Sequence, residues 1–292
     1  MKNRALKRVP SKGLSNQGNT CFFNATMQCV MALDRFVDYF QTGKFSERQP
    51  VSRALQNFMR LYTGGEYGTV DPSTFIRDIG RKIQLFNGQQ QDAHCFLDNL
   101  LCSVFEENKP GKNKIGELER LFTVEHRALV TCKTCLFKVE RRSISPVQFL
   151  FISRTVQESL SSYEDEEDVV DDSRALWSCE KCQSKVIAGI RHKIISSSLY
   201  VVIHLNRFSD LQNKNRAAIE IEERISLNQT KYRLIGVVCH SGSLHFGHYY
   251  AYATRSPGEE CAKMQKFNDT LVSSSSGVSD PTTPYILFYQ RI

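Results

Sequence analysis

Gly13-Leu14-Ser15-Asn16-Gln17-Gly18-Asn19-Thr20-Cys21-Phe22-Phe23-Asn24-Ala25 sets a turn rich in Gly, Ser and Asn against a helical pattern whose first residue is a cysteine. From Cys21 onward, apolar Phe23, Met27, Val30 and Met31 recur at the spacing of one helix face. Asn19 and Thr20 are both N-cap candidates. Cys21 then falls in the first turn, where the positive end of the macrodipole and free backbone N–H groups stabilise negative charge on sulfur. A nucleophile belongs in such a place, although most cysteines in apolar stripes are inert packing.

Distant residues weigh for the nucleophile. A cysteine nucleophile needs an imidazole to take its proton and a third polar group to hold that ring. Near the far end, His240, His245 and His248 lie on one stretch, ending Gly247-His248-Tyr249-Tyr250, and Lys266-Phe267-Asn268-Asp269 follows. Asn268 and Asp269 can each accept a bond from an imidazole N–H. The order Cys, distant His, then Asn or Asp is that of papain-like thiol hydrolases.

The chain has 292 residues, 41% of them hydrophobic, enough for a substantial core in one large or two small domains. It contains no uninterrupted apolar run long enough to span a bilayer, so no membrane association is expected. Residues Met1–Pro10 are charged without an apolar stretch and do not read as a secretory signal. The ten cysteines are therefore expected as metal ligands and a reactive thiol in a reducing, cytoplasmic or nuclear setting, not as a disulfide framework. Net charge is +7, from 38 basic and 31 acidic residues spread along the chain, so nucleic acid is not an expected partner. The densest basic group, Lys2, Arg4, Lys7 and Arg8, reads as part of a solvated tail over residues 1–12.

Helical stripes follow at Asp34–Phe40, Val51–Tyr62 and, opened by Asp71-Pro72, through Ile76, Ile79 and Ile83. Gln89–Phe105 reads as a further helix with Asp92 near its first turn. Lys109–Gly116 reads as a loop. Strand patterns then dominate: Phe122–Thr131, Leu136–Val139, Val147–Ile152, Lys185–Ile195, Leu199–Leu205, Arg233–His240, His248–Thr254, Cys261–Phe267 and Tyr285–Gln290. A short helix is expected at Thr155–Leu160, and the acidic run Tyr163–Asp172 reads as a solvated face or loop. Helices first and strands later indicate an α+β fold.

Two Cys-x-x-Cys pairs, Cys132/Cys135 and Cys179/Cys182, supply four thiolates, the donor set of tetrahedral structural zinc. Their separation exceeds that of a compact zinc ribbon, so each pair is expected to cap its own β-hairpin. His94, His126, His192 and His204 read as satisfied structural residues.

In order along the chain, the Cys21 segment, Gln89-Gln90-Gln91-Asp92-Ala93-His94, the two cysteine pairs, Tyr200–Phe208, Gly247-His248-Tyr249 and Tyr285–Tyr289 resemble the ubiquitin-specific protease family of papain-like deubiquitinases. The resemblance implies a helical thumb over about residues 13–110, zinc-bearing β fingers over about 117–198 and a β palm over about 199–292. It also implies hydrolysis of the bond after the C-terminal glycine of ubiquitin through a thioester, with ubiquitin and ubiquitinated proteins as partners. In that reading Cys21 is the nucleophile and His248 the base, with Asn268 or Asp269 orienting it. Asn16 matches the family's oxyanion donor, and zinc on the four cysteines is structural. Gln91, Asp92, His245 and Tyr249 match positions along the approach of ubiquitin's tail, whose arginines need carboxylate partners. Asp92 also suffices as a plain helix cap. The chain departs from the family at Cys95, where glutamate is usual. That change leaves two alternatives, a ubiquitin-binding scaffold and a protease for a ubiquitin-like modifier.

Overall fold

In the computed structural model, which describes residues 9–65, 68–111, 114–171, 174–175, 177–208, 213–243, 246–256 and 263–292, the stripe beginning at Cys21 is helix α1, Cys21–Val30. All ten of its residues are buried, polar Asn24, Thr26 and Gln28 included. A helix enclosed on every side must satisfy such groups internally. Thr26 Oγ1 donates to Phe22 O (2.8 Å) and Gln28 Nε2 to Lys12 O (2.8 Å). Neither N-cap candidate caps through its side chain: Thr20 holds the position without a side-chain bond, and Asn19 has φ 55° and donates to Gly88 O at 2.8 Å.

Four further helices follow, α2 (Asp34–Thr42), α3 (Pro50–Thr63), α4 (Ser73–Gly80) and α5 (Ala93–Glu107), with α5 packed on α1 and α3 packed on α2, α4 and α5. Phe23 joins them, its ring meeting Phe58, Phe75, Phe86 and Phe96 at centroid distances of 5.2–6.2 Å. Two helices start later than the sequence pattern suggests. Pro72 is the N-cap of α4, while Asp71 Oδ1 accepts from Ser73 N at 2.9 Å. Asp92 caps α5 by accepting from Cys95 N at 2.9 Å, so Gln89–Gln91 stay outside the helix.

On its other side α1 packs on an eight-stranded sheet. Seven of its strands run in the order Leu271–Ser274, Met264–Asn268, Gly247–Thr254, Thr230–Gly242, Pro284–Arg291, Tyr200–Leu205 and Val147–Leu150, and Arg224–Leu227 pairs with Thr230–Gly242. Neighbours are antiparallel except Tyr200–Leu205 with Val147–Leu150. Gly236 lets the helix approach, because a Cβ there would stand 3.1 Å from Cys29 Sγ. Buried Arg255 ties sheet to helices, donating to Gln28 O (2.9 Å) on α1 and Tyr62 Oη (3.1 Å) on α3.

A second sheet runs Lys138–Ser145, Val124–Cys132, Ala188–Ser197, Glu166–Asp171 and Arg174–Ala175. Helix α6, Val156–Tyr163, precedes its acidic strand, and Thr155 caps α6 through Glu158 N. The acidic run is a solvated strand face and not a loop: Glu166–Asp171 pairs with Ala188–Ser197, and residues 165–168 are exposed. Basic neighbours offset its charge, Arg191 Nη2 lying 3.3 Å from Glu166 Oε2 and Lys133 pairing with Asp168. The expected tail is also shorter than 12 residues, since Val9 and Lys12 are buried. Lys2, Arg4, Lys7 and Arg8 lie outside the described residues.

Phe23→Ala is expected to cost roughly 3–5 kcal/mol of unfolding free energy, as the cavity would lie among four other rings. Denaturant titration checks this, and a loss under about 1 kcal/mol would contradict the enclosed α1.

Candidate active site

Burial of α1 fixes Cys21 at its N-terminal end, 4% exposed, against the strand that carries His248. The Cys21 thiol stands beside the His248 imidazole, near enough to raise the ring's pKa. His248 Nε2 lies 2.6 Å from Asn268 Oδ1, which leaves Nδ1 for the sulfur. His248 is raised to about 9, chiefly by the adjacent Cys21 thiol and, against partial burial, by Asn268 and the charges of Cys21 and Asp269. A protonated ring is thereby held between a sulfur and an amide oxygen.

Asn268 and Asp269 take separate places. Asn268 ends its strand, paired with Leu271, and Asp269 begins the two-residue turn with φ 50°. Asp269 Oδ1 accepts from Asn24 Nδ2 (2.7 Å) and Oδ2 from Asn16 Nδ2 (3.0 Å). Asn16 Oδ1 accepts from Thr20 N at 3.1 Å, which folds the turn before α1 over the helix end. Sequence reading missed Asn24, whose only signal is a polar residue set among apolar ones at the start of α1.

Among the other histidines, His240 is buried behind Gly247, with its ring 4.5 Å from that of Tyr249. A Cβ on Gly247 would come within 1.9 Å of His240 Nε2, so only glycine fits before His248. Burial, then the charge of Lys214, holds His240 at about 4. His245 lies outside the described residues. Tyr249 is buried, its ring 6.1 Å from that of Tyr285.

The segment before α5 faces the same strand. Gln90 clasps the residue before His248 from both sides, Nε2 donating to Gly247 O (2.8 Å) and Oε1 accepting from Gly247 N (2.9 Å). Sequence reading missed Gln90, one of three consecutive glutamines. Gln91 turns away to Asn87 Oδ1 at 2.9 Å. Asp92 is half-buried, its Oδ2 accepting from the Tyr285 hydroxyl. His94 and His204 are not satisfied as expected: their rings stack at 4.3 Å and 11°, and His94 Nε2 and both His204 nitrogens are buried without partners. Phe149 stands edge-on to both rings, 4.8 Å from His94 and 5.0 Å from His204, and offers no acceptor.

The four paired cysteines converge, each pair at the turn of an antiparallel hairpin. Cys132 and Cys182 sulfurs are 3.9 Å apart, Cys135 and Cys179 sulfurs 3.6 Å. A tetrahedron with metal–sulfur bonds of about 2.3 Å has edges of about 3.8 Å, so the donor set fits zinc. Cys135 N and Cys182 N point at the Cys132 and Cys179 sulfurs at 3.4 Å each, the outer bonds that a thiolate ligand uses.

The family profile for ubiquitin carboxyl-terminal hydrolase matches residues 12–289, and the chain belongs to that family. Ubiquitin carboxyl-terminal hydrolase 4 of Candida glabrata is 23% identical over 379 residues, covering 99% of this chain and 42% of its own length. Ubiquitin carboxyl-terminal hydrolase 42 of Homo sapiens is 26% identical over 310 residues, covering 96% and 23%. The chain thus spans less than half the length of these curated relatives. Among solved structures it is similar to the SAGA DUB module of Ubp8, Sgf11, Sus1 and Sgf73 bound to monoubiquitin. The TM-score is 0.80 at 22% identity, covering all of this chain and 71% of that one. The α+β ubiquitin-specific protease fold expected from sequence is the fold found.

Because His248 is raised above the usual 6.5, its protonation adds stability that is complete below that value and lost as pH rises through about 9. An NMR titration of its Cε1 proton is expected to show a midpoint near 9 that falls in Cys21→Ala. A midpoint unmoved by that substitution would refute the coupling.

Proposed function

We propose that this chain is the catalytic domain of a thiol deubiquitinase, cleaving the bond after ubiquitin's C-terminal glycine. The observation that carries the reading is His248 held between Cys21 and Asn268. Cys21 attacks the glycine carbonyl as thiolate, forming the C–S bond of a tetrahedral intermediate. As that collapses, the C–N bond breaks and His248 passes its proton to the departing lysine amine. His248 then takes a proton from water, the hydroxide attacks the thioester, and the thiolate leaves with ubiquitin's free carboxylate. Asn268 keeps the imidazole in plane through both halves.

Asn16 supplies an oxyanion donor in this reading. Asp269 engages one side of its amide, and the NH₂ group has a second hydrogen for the developing charge. Asp269 therefore acts as a positioning group for Asn16, not as the residue on His248. Gln91, Asp92, His245 and Tyr249 belong to the approach for ubiquitin's tail. Asp92 retains lone pairs beyond those used by Cys95 N and Tyr285, so capping and tail recognition are compatible. Cys132, Cys135, Cys179 and Cys182 would hold zinc, which in a closed four-thiolate site supplies cross-linking of two hairpins and no reaction step.

A ubiquitin C-terminal electrophile should give an adduct with the parent protein and none with Cys21→Ala. Asn16→Ala should lower kcat on a ubiquitin fluorogenic substrate by about 10²–10³-fold with little change in KM. Ubiquitin binding without adduct would favour a scaffold, and an adduct only with a ubiquitin-like modifier would move the substrate class.

Cys135→Ser is expected to abolish the zinc that survives removal of exchangeable metal, measured by metal analysis, and to open amide exchange across Val124–Cys132 and Ala188–Ser197 while α1 stays protected. Stoichiometric zinc retained in that variant would exclude the four-cysteine site.

A further inference from the structure

We propose that Asp92, His94 and Cys95 form a second, exchangeable site for a borderline-soft divalent cation such as Zn²⁺, on the wall of the cleft beside His248. Their carboxylate oxygen, imidazole nitrogen and sulfur all lie within 4.8 Å of one another. These are three donor types that zinc takes, at bond lengths of about 2.0–2.3 Å, which set donor separations of about 3.3–3.6 Å. The remaining contraction is at most about 1.2–1.5 Å, within reach of rotation by the exposed Cys95 side chain at the first turn of α5.

Two members are already held. Asp92 is fixed by Cys95 N on one oxygen and the Tyr285 hydroxyl on the other, the outer bonds that orient a metal-binding carboxylate, with lone pairs to spare. His94 is fixed by its stack on His204 and by Phe149, 4.8 Å from its ring. The histidine pair beside the trio is short of partners. His94 Nε2 is buried with no partner, and His204, 9% exposed, leaves both its nitrogens unpartnered against the same ring. Orphaned buried nitrogens of this kind leave the histidine free to turn toward a cation bound by its neighbours.

The site differs in kind from the four-cysteine cluster. Three protein ligands leave an open position, and the half-buried to exposed setting allows exchange. Cys95 supplies the softness, since the glutamate usual in the family would offer only another oxygen. Occupancy would engage the Asp92 carboxylate and so oppose entry of ubiquitin's tail. That consequence, unlike the binding itself, rests on the deubiquitinase reading.

The binding test uses the full chain as Cys21→Ala, zinc-loaded and freed of excess metal, so the nucleophile cannot serve as ligand. Titration with Co²⁺ is expected to give one further equivalent with a sulfur-to-metal charge-transfer band. The band should vanish in Cys95→Ser, and affinity should fall roughly tenfold or more in His94→Ala. Circular dichroism and zinc content verify that each variant is folded. No added band, or a band that survives Cys95→Ser, overturns the site. With Cys21 restored, added Zn²⁺ should inhibit turnover of a ubiquitin substrate at a concentration roughly tenfold lower than in Cys95→Ser. Equal inhibition of both overturns the regulatory role. A chain with no turnover would refute the deubiquitinase reading while leaving the Co²⁺ band expected.

Discussion

Helix α1 has no face to solvent, and the candidate site depends on that constraint. Sheet on one side and α5 with the rings of α3 and α4 on the other leave it no direction in which to shift. A helix with an exposed face can slide or tilt by exchanging contacts with water, whereas a close-packed one must repack its neighbours. Cys21, at its first turn, inherits that rigidity. Buried Gln28, at the other end, is held by Lys12 O and Arg255, so the helix is fixed along its axis as well as across it.

The imidazole side is held by different means. His248 sits near the start of its strand, where a ladder alone would let the end fray. Gln90 prevents this by pairing both polar groups of Gly247 with one side-chain amide, in the manner of an extra strand residue. The α5 N-terminus that carries this clasp is itself tied to the sheet through Asp92 and Tyr285. The two halves of the site are thus joined by hydrogen bonds in front and by the α1 core behind.

Much of this was legible in the sequence because it follows from local periodicity. The α1 stripe, the helices at Asp34 and Pro50, the hairpin-capping cysteine pairs and most strands of the large sheet lie where apolar spacing put them. Elements decided by distant partners were not legible. The acidic stretch at Glu166 becomes a strand by pairing with Ala188–Arg191, and Arg191 and Lys133, remote in sequence, offset its charge. Helix α5 starts at Ala93 because capping by Asp92 wins over the helix-favouring glutamines before it. The His94–His204 stack joins two segments more than a hundred residues apart, and no spacing rule connects them.

Asn268 and Asp269 are chemically near-equivalent as partners for an imidazole, and the backbone separates them. Asn268 is the last residue of its strand, so its side chain takes the sheet face that His248 shares. Asp269 enters the left-handed region and turns toward α1, where two asparagine amides meet its carboxylate. Exchanging the two roles would require moving the turn by one residue and reversing the pleat of the hairpin. Leu14 N donates to Asp269 O at 2.8 Å and pins that turn to the segment leading into α1. The division of labour between a neutral amide on the imidazole and a carboxylate behind Asn16 therefore comes from hairpin register, which residue chemistry alone does not reveal.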